Sequence, residues 1–201
     1  LDLADKIGKF IAQVETALSP KAIEVECVGE PAELSVKAIA SSAVAGFLHR
    51  FLDAPVNQVS APHLAADRGI AVRELRSVTP RGKYASLVVL RVHNADGTVA
   101  TAEGTLGADG APRLVKWGDF EIEASLGGHT LVVTNLDKPG VIGFLGTALG
   151  NAGVNISRVH LGVAGGAGAV SVWNLDSGIP ASVLDELRRS PNVSSAIAVT
   201  V

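Results

Sequence analysis

Apolar residues recur at helical spacing through Leu3, Ile7, Phe10, Ile11, Val14 and Leu18, with Asp, Lys and Gln between them. This pattern predicts an amphipathic helix ending near Ser19-Pro20. From Lys21 to Gly29 the period shortens. Ile23, Val25 and Cys27 alternate with Glu24 and Glu26, as in a half-buried strand with the glutamates facing water. Glu30-Pro31 opens a longer helix carrying Leu34, Ala38, Ser41, Ala45, Leu48 and Leu52, which stops before Pro55. A short third helix spans Ala61 to Gly69, closed by the glycine. Ile70 to Arg76, Tyr84 to His93, Val99 to Leu106 and Arg113 to Ile122 then read as strands. Turn signals separate them at Pro80-Arg81-Gly82, Asn94-Ala95-Asp96-Gly97 and Asp109-Gly110. Helices followed by an antiparallel meander predict an α+β domain over residues 1–126.

Gly127-Gly128 is the expected boundary, because the pattern restarts after it. Thr130 to Asn135 is a strand and Gly140 to Asn151 a helix. Val154 to Val163 and Ala167 to Leu175 are strands joined by Ala164-Gly165-Gly166. Pro180 to Arg189 is a helix with proline in its first turn, and Val193 to Val201 is a last strand. The order βαββαβ over residues 129–201 is the ferredoxin-like plan.

Composition narrows the class. In 201 residues, 47% are hydrophobic, 18% charged and only 4% aromatic, so this is a globular chain with an aliphatic core. A net charge of −3 argues against a nucleic-acid footprint. The single cysteine, Cys27, gives neither a disulfide framework nor a thiolate metal site and reads as a small buried hydrophobe. No stretch is long and unbroken enough to span a membrane, and the charged start lacks the form of a signal peptide, so the expected location is the cytoplasm. The chain contains no methionine and opens Leu1-Asp2-Leu3-Ala4-Asp5, which leads us to expect a piece of something longer.

Several chemistries lack their residues. No G-x-G-x-x-G turn or P-loop is present. Gly143, Gly146 and Gly150 fall inside a helix pattern as a small-residue face, and no nucleophile elbow occurs. His49, His63, His93, His129 and His160 are scattered without metal-ligand spacing, so no metal is expected. Glu121 and Glu123 read as a solvated strand edge rather than an acid/base pair. The chain by itself is therefore not expected to be an enzyme or to hold a cofactor.

One stretch does carry chemistry: Asn135-Leu136-Asp137-Lys138-Pro139-Gly140-Val141-Ile142, followed by Ala152-Gly153-Val154-Asn155-Ile156. A strand ends, a polar turn follows, and a helix begins at Pro139-Gly140. Its first N–H groups, through Val141, are free to hold a carboxylate. Gly140 permits close backbone approach, Asp137 can pair with an ammonium, and Asn135 and Asn155 add donors and acceptors. Together these suit a small zwitterion, an amino acid. The competing reading is purely local, with Asp137 capping the helix and the asparagines filling turns.

The βαββαβ plan with N-x-D-K-P-G-V-I and A-G-V-N-I resembles an ACT domain, a module that binds amino acids between paired subunits. The preceding segment resembles the intervening domain of long-form D-3-phosphoglycerate dehydrogenases. The matching stretches are Leu3 to Phe10, Val56-Asn57 before Ala61-Pro62, Ala66 to Ile70, and Gly97-Thr98 leading to Glu103-Gly104-Thr105-Leu106. This resemblance implies a parent that oxidises 3-phosphoglycerate with NAD in serine synthesis, with catalytic domains N-terminal to Leu1. It also implies L-serine as effector and a homo-oligomer formed through the ACT domains. Asn135 and Asp137 match the effector loop, and Asn155 matches the contact from a partner subunit. The family often has His or Tyr where Asn135 stands. Its intervening domain also holds an anion pocket. Arg113 matches one basic position there, and Lys116, Arg81 and Lys83 are candidates for the others. Two further readings are an oligomerisation module without effector and an iron–sulfur serine dehydratase. The dehydratase reading lacks its S-S-S-H-T motif, and one cysteine cannot hold a cluster.

Overall fold

A computed structural model of the chain describes residues 1–52, 55–163 and 168–201. Two compact units divide it, Leu1–Gly118 and Asp119–Val201.

In the first unit, α1 (Asp2–Val14) buries Leu3, Ile7, Phe10, Ile11 and Val14, the face marked by the helical spacing. Ile7, Phe10 and Ile11 are essentially sealed from water, each contributing about 1.5–3 kcal/mol. The helix stops at Val14, short of the expected Ser19-Pro20, because Glu15 turns extended and its carboxylate accepts the Trp117 indole N–H at 2.8 Å. β1 (Pro20–Gly29) follows. The expected single helix from Glu30 is two elements: a 3-10 turn (Glu30–Glu33), an extended Leu34, then α2 (Val36–Leu48). α3 is short (Ala61–Asp67).

The remaining strands of this unit are β2 (Ala71–Ser77), β3 (Ser86–Asn94), β4 (Val99–Leu106) and β5 (Pro112–Trp117). β3, β4 and β5 form the expected antiparallel meander. β2 departs from it and lies parallel to β1, with Ile23 opposite Val72 and Cys27 opposite Arg76. The intervening helices carry the chain back across the sheet, as parallel pairing demands. β1 therefore sits between β2 and β3, and its glutamates are less exposed than simple alternation suggests: Glu26 is 7% exposed.

Helices α1 and α2 meet backbone to backbone. A Cβ on Gly8 would overlap the Ala43 carbonyl and lie 2.7 Å from the Phe47 nitrogen. A Cβ on Gly46 would overlap the Asp5 carbonyl in return.

The segment read as one strand, Arg113 to Ile122, is two. β5 ends at Trp117, Gly118 takes φ +52°, and β6 (Phe120–Ser125) belongs to the second unit, where Glu121 stands opposite Val163. The second unit begins at Asp119, ahead of the expected boundary at Gly127-Gly128. The second unit continues with β7 (His129–Leu136), α4 (Val141–Asn151), β8 (Ile156–Val163), β9 (Gly168–Leu175), α5 (Ala181–Arg189) and β10 (Val193–Thr200). The Ala164–Gly166 link and Ala167 lie outside the described residues. The strand order β10-β7-β9-β8 is the ferredoxin-like order, and the fold class is α+β as expected. Leu131, Val133 and Trp173 of the sheet pack with Val141, Leu145, Val183 and Leu187 of the helices in one core. No helix among the described residues is long and apolar enough to cross a membrane.

Cys27 is fully buried in β1, and burial pushes its thiol from 9.0 up to about 11. Two outcomes follow. The native chain resists a thiol reagent at pH 8, reacting only when unfolded. Stability declines between about pH 9 and 11, because there the unfolded thiol has ionised while the folded one still holds its proton. Rapid stoichiometric labelling of the native chain would contradict both.

Candidate effector site

The end of β7 and the start of α4 carry the residues that the sequence singles out as suited to an amino acid. Asn135 belongs to the helix-covered face of β7, two places beyond Val133, opposite Ala169 of β9 and Val193 of β10. It is 5% exposed. Its Nδ2 donates to the Leu136 carbonyl at 2.7 Å, while its Oδ1 is buried without a hydrogen-bond partner. An acceptor in that state is costly unless a donor reaches it.

The chain leaves β7 at Leu136 and crosses the exposed Asp137, Lys138 and Pro139 to Gly140. Gly140 stands at the helix N-cap with φ +90°, a conformation that favours glycine, and its carbonyl accepts the Phe144 N–H at 2.9 Å. No side chain caps α4, so the capping role considered for Asp137 is not taken. The first amides of α4, beginning at the buried Val141, keep the partial positive charge of an uncapped helix start. Asp137 makes no hydrogen bond or ion pair among the described residues. Asn135, Asp137, Pro139, Gly140 and Val141 are thus neighbours around one turn, and they pair an anion-seeking helix end with a carboxylate and an orphan amide oxygen.

Asn155 is elsewhere. It precedes β8, whose Ile156 stands opposite Leu175 of β9, and His129 of β7 stands opposite the same Leu175. Asn135 is six positions further along β7, about 20 Å at the rise of a strand. Within one chain Asn155 and the β7–α4 turn occupy opposite ends of the sheet. Asn155 is occupied there by Asp176, donating from Nδ2 to Oδ2 and accepting the Asp176 amide at 3.2 Å.

The four basic residues considered for an anion pocket have separate surroundings. Arg113 donates to Asp109 at 3.0 Å. Lys116 stands opposite Glu103. Arg81 donates to Glu26, and the Lys83 ammonium lies 5.2 Å from the Tyr84 ring centre. Sequence reasoning missed the cluster that claims Arg81. Arg91 of β3 donates to Glu24 and Glu26, both at 2.9 Å, with His93 3.9 Å from Glu24. Burial alone would push the Arg91 guanidinium down, but the hydrogen bonds to Glu26 and Glu24 outweigh it and its pKa is raised. The available signal was the pair of glutamates inside an apolar strand, which need cations once both edges of that strand are covered.

Comparison with known proteins gives a consistent match. The family model described as the D-3-phosphoglycerate dehydrogenase intervening domain matches residues 1–117. A D-3-phosphoglycerate dehydrogenase of Mycobacterium tuberculosis is 34% identical over 185 residues, covering 91% of this chain and 35% of that protein. The enzyme of the same name from Bacillus subtilis is 29% identical over 195 residues, 96% of this chain and 36% of the relative. The one from Methanocaldococcus jannaschii is 26% identical over 200 residues, 99% and 37%. The chain spans little more than a third of the length of these curated relatives.

Proposed function

The chain belongs to the D-3-phosphoglycerate dehydrogenase family, and on that premise we propose that it is a regulatory part of such an enzyme whose second unit is an ACT domain binding L-serine as feedback effector. The observation that carries this reading is the uncapped start of α4 beside Asp137 and the unsatisfied Asn135 Oδ1. A serine carboxylate suits the helix-start amides, its ammonium suits Asp137, and a donor from the ligand would relieve Asn135. Asn155 lies too far along the sheet to serve the same turn, so in this reading it comes from a second copy. Catalysis with NAD belongs to the rest of the enzyme, in the cytoplasm.

Calorimetry of the 201-residue chain with L-serine tests the proposal. Asp137→Ala is expected to weaken binding by about 1.5–3 kcal/mol, the worth of a charged hydrogen bond. Absence of heat at millimolar serine, or unchanged binding in that variant, would overturn it.

The exposed apolar residues Val159 and Leu161 of β8 and Ile142 of α4 favour a second reading, in which this unit holds subunits together without sensing a ligand. Light scattering showing dimers, combined with no serine response, would select it. A phosphorylated acid acting on the first unit would have to displace Glu26 and Asp109 from Arg81 and Arg113.

A further inference from the structure

Among the described residues β2 ends the sheet of the first unit, paired with β1 alone, so its outer edge offers unpaired backbone groups. It is also the least buried strand of that sheet. Arg73, Glu74, Leu75 and Arg76 are all exposed, Leu75 to 42%, and Val78 just beyond the strand to 72%. Bare apolar side chains on an open edge are a liability unless something covers them.

The sequence of this edge has a symmetry that points to what covers it. Read outward from Leu75, Val72-Arg73-Glu74-Leu75-Arg76-Ser77-Val78 is self-complementary when paired antiparallel with another copy of itself. Leu75 meets Leu75, Glu74 meets Arg76 on both sides of the centre, Arg73 meets Ser77, and Val72 meets Val78. Directly opposite residues share a sheet face, so both Glu–Arg pairs can close. Neighbouring registers do not offer this. A slip of two positions sets Glu74 against Glu74 or Arg76 against Arg76. A slip of one sets Arg73 against Arg76, or leaves the charges without opposite partners. Glu74 and Arg76 enter no ion pair among the described residues, so both remain available.

We infer that two copies of this chain associate edge to edge through β2, about a two-fold axis at Leu75, joining their first units into one continuous sheet. The contact is isologous and closes on itself, as a two-fold interface must. The charges that guard this edge against unrelated strands select one partner in one register. The association is independent of the serine site, which lies in the other unit.

The test uses the full chain with Leu75→Cys, which places two thiols across the proposed axis; the native Cys27 is fully buried and does not compete. Diamide takes up the two protons and two electrons as the disulfide forms. The expected result is a covalent dimer on a non-reducing gel, in yield well above a Val59→Cys control at an 82% exposed loop position. Adding Glu74→Arg or Arg76→Glu separately turns both attractive pairs repulsive and lowers the yield about tenfold. An equimolar mixture of the two charge variants restores it, because each supplies the charges the other needs. Cross-linking no better than the control, single reversals without effect, or no recovery on mixing would each overturn the inference.

Discussion

Gly8→Val is expected to destabilise the first unit by about 4 kcal/mol or more, enough to threaten its folding. An overpacked core ordinarily yields because side chains rotate away. Here the added carbons meet the backbone of α2, at the Ala43 carbonyl and the Phe47 nitrogen, and Gly46 presents the same constraint against Asp5. The helices can accommodate the side chain only by separating, which pulls Ile7, Phe10 and Ile11 off the sheet. Trp117 reports the event, since its ring stacks edge-on against Phe10 at 5.9 Å and its indole donates to Glu15. In a Trp173→Phe background, urea titration of Trp117 fluorescence should show a lowered midpoint, with Gly8→Ala intermediate. A midpoint unchanged in Gly8→Val would mean that the helices do not meet at backbone contact.

Periodicity made the buried face of α1 legible, along with β4 to the residue and the whole βαββαβ order of the second unit, because in each the apolar set is fixed by one neighbour. Where two neighbours act, the pattern misled. β1 looked half-buried because its glutamates alternate with its apolar residues, yet strands on both sides draw Glu26 out of water. Arg113 to Ile122 alternated without a visible break, and only the left-handed Gly118 divides it. The start of α4 after β7 was legible, since helix starts announce themselves through Pro-Gly. That Asn155 sits at the other end of the sheet was not, because it depends on which strands run parallel.

Arg91→Met is the second large effect, expected to cost about 2–4 kcal/mol at neutral pH. Breaking a buried ion pair is worth about 3–5 kcal/mol, reduced here because Arg91 retains 23% side-chain exposure. The loss arises from Glu24 and Glu26, left without the cation that bridges them, with Arg81 still on Glu26 and His93 3.9 Å from Glu24. Thermal unfolding at pH 7 should show the loss as a midpoint below that of the parent chain. Adding Glu24→Gln and Glu26→Gln should recover most of the loss, since no charge is then stranded. A loss that persists in full in the double glutamine background would mean that Arg91 acts through packing alone.

The placement of β1 between two later strands has a consequence for synthesis. Its partners begin only at Ala71 and Ser86, so as the chain is made β1 emerges and waits. At about 5–20 residues per second, the interval before β2 appears is about 2–8 seconds. During that time an apolar strand without neighbours is exposed beside identical nascent chains on the same messenger. Two glutamates along its length make such chains repel one another, as gatekeeper charges do. Arg91 arrives with β3 and lifts the repulsion at the moment the correct partner is in place, so the pair that burdens the finished fold protects the unfinished one.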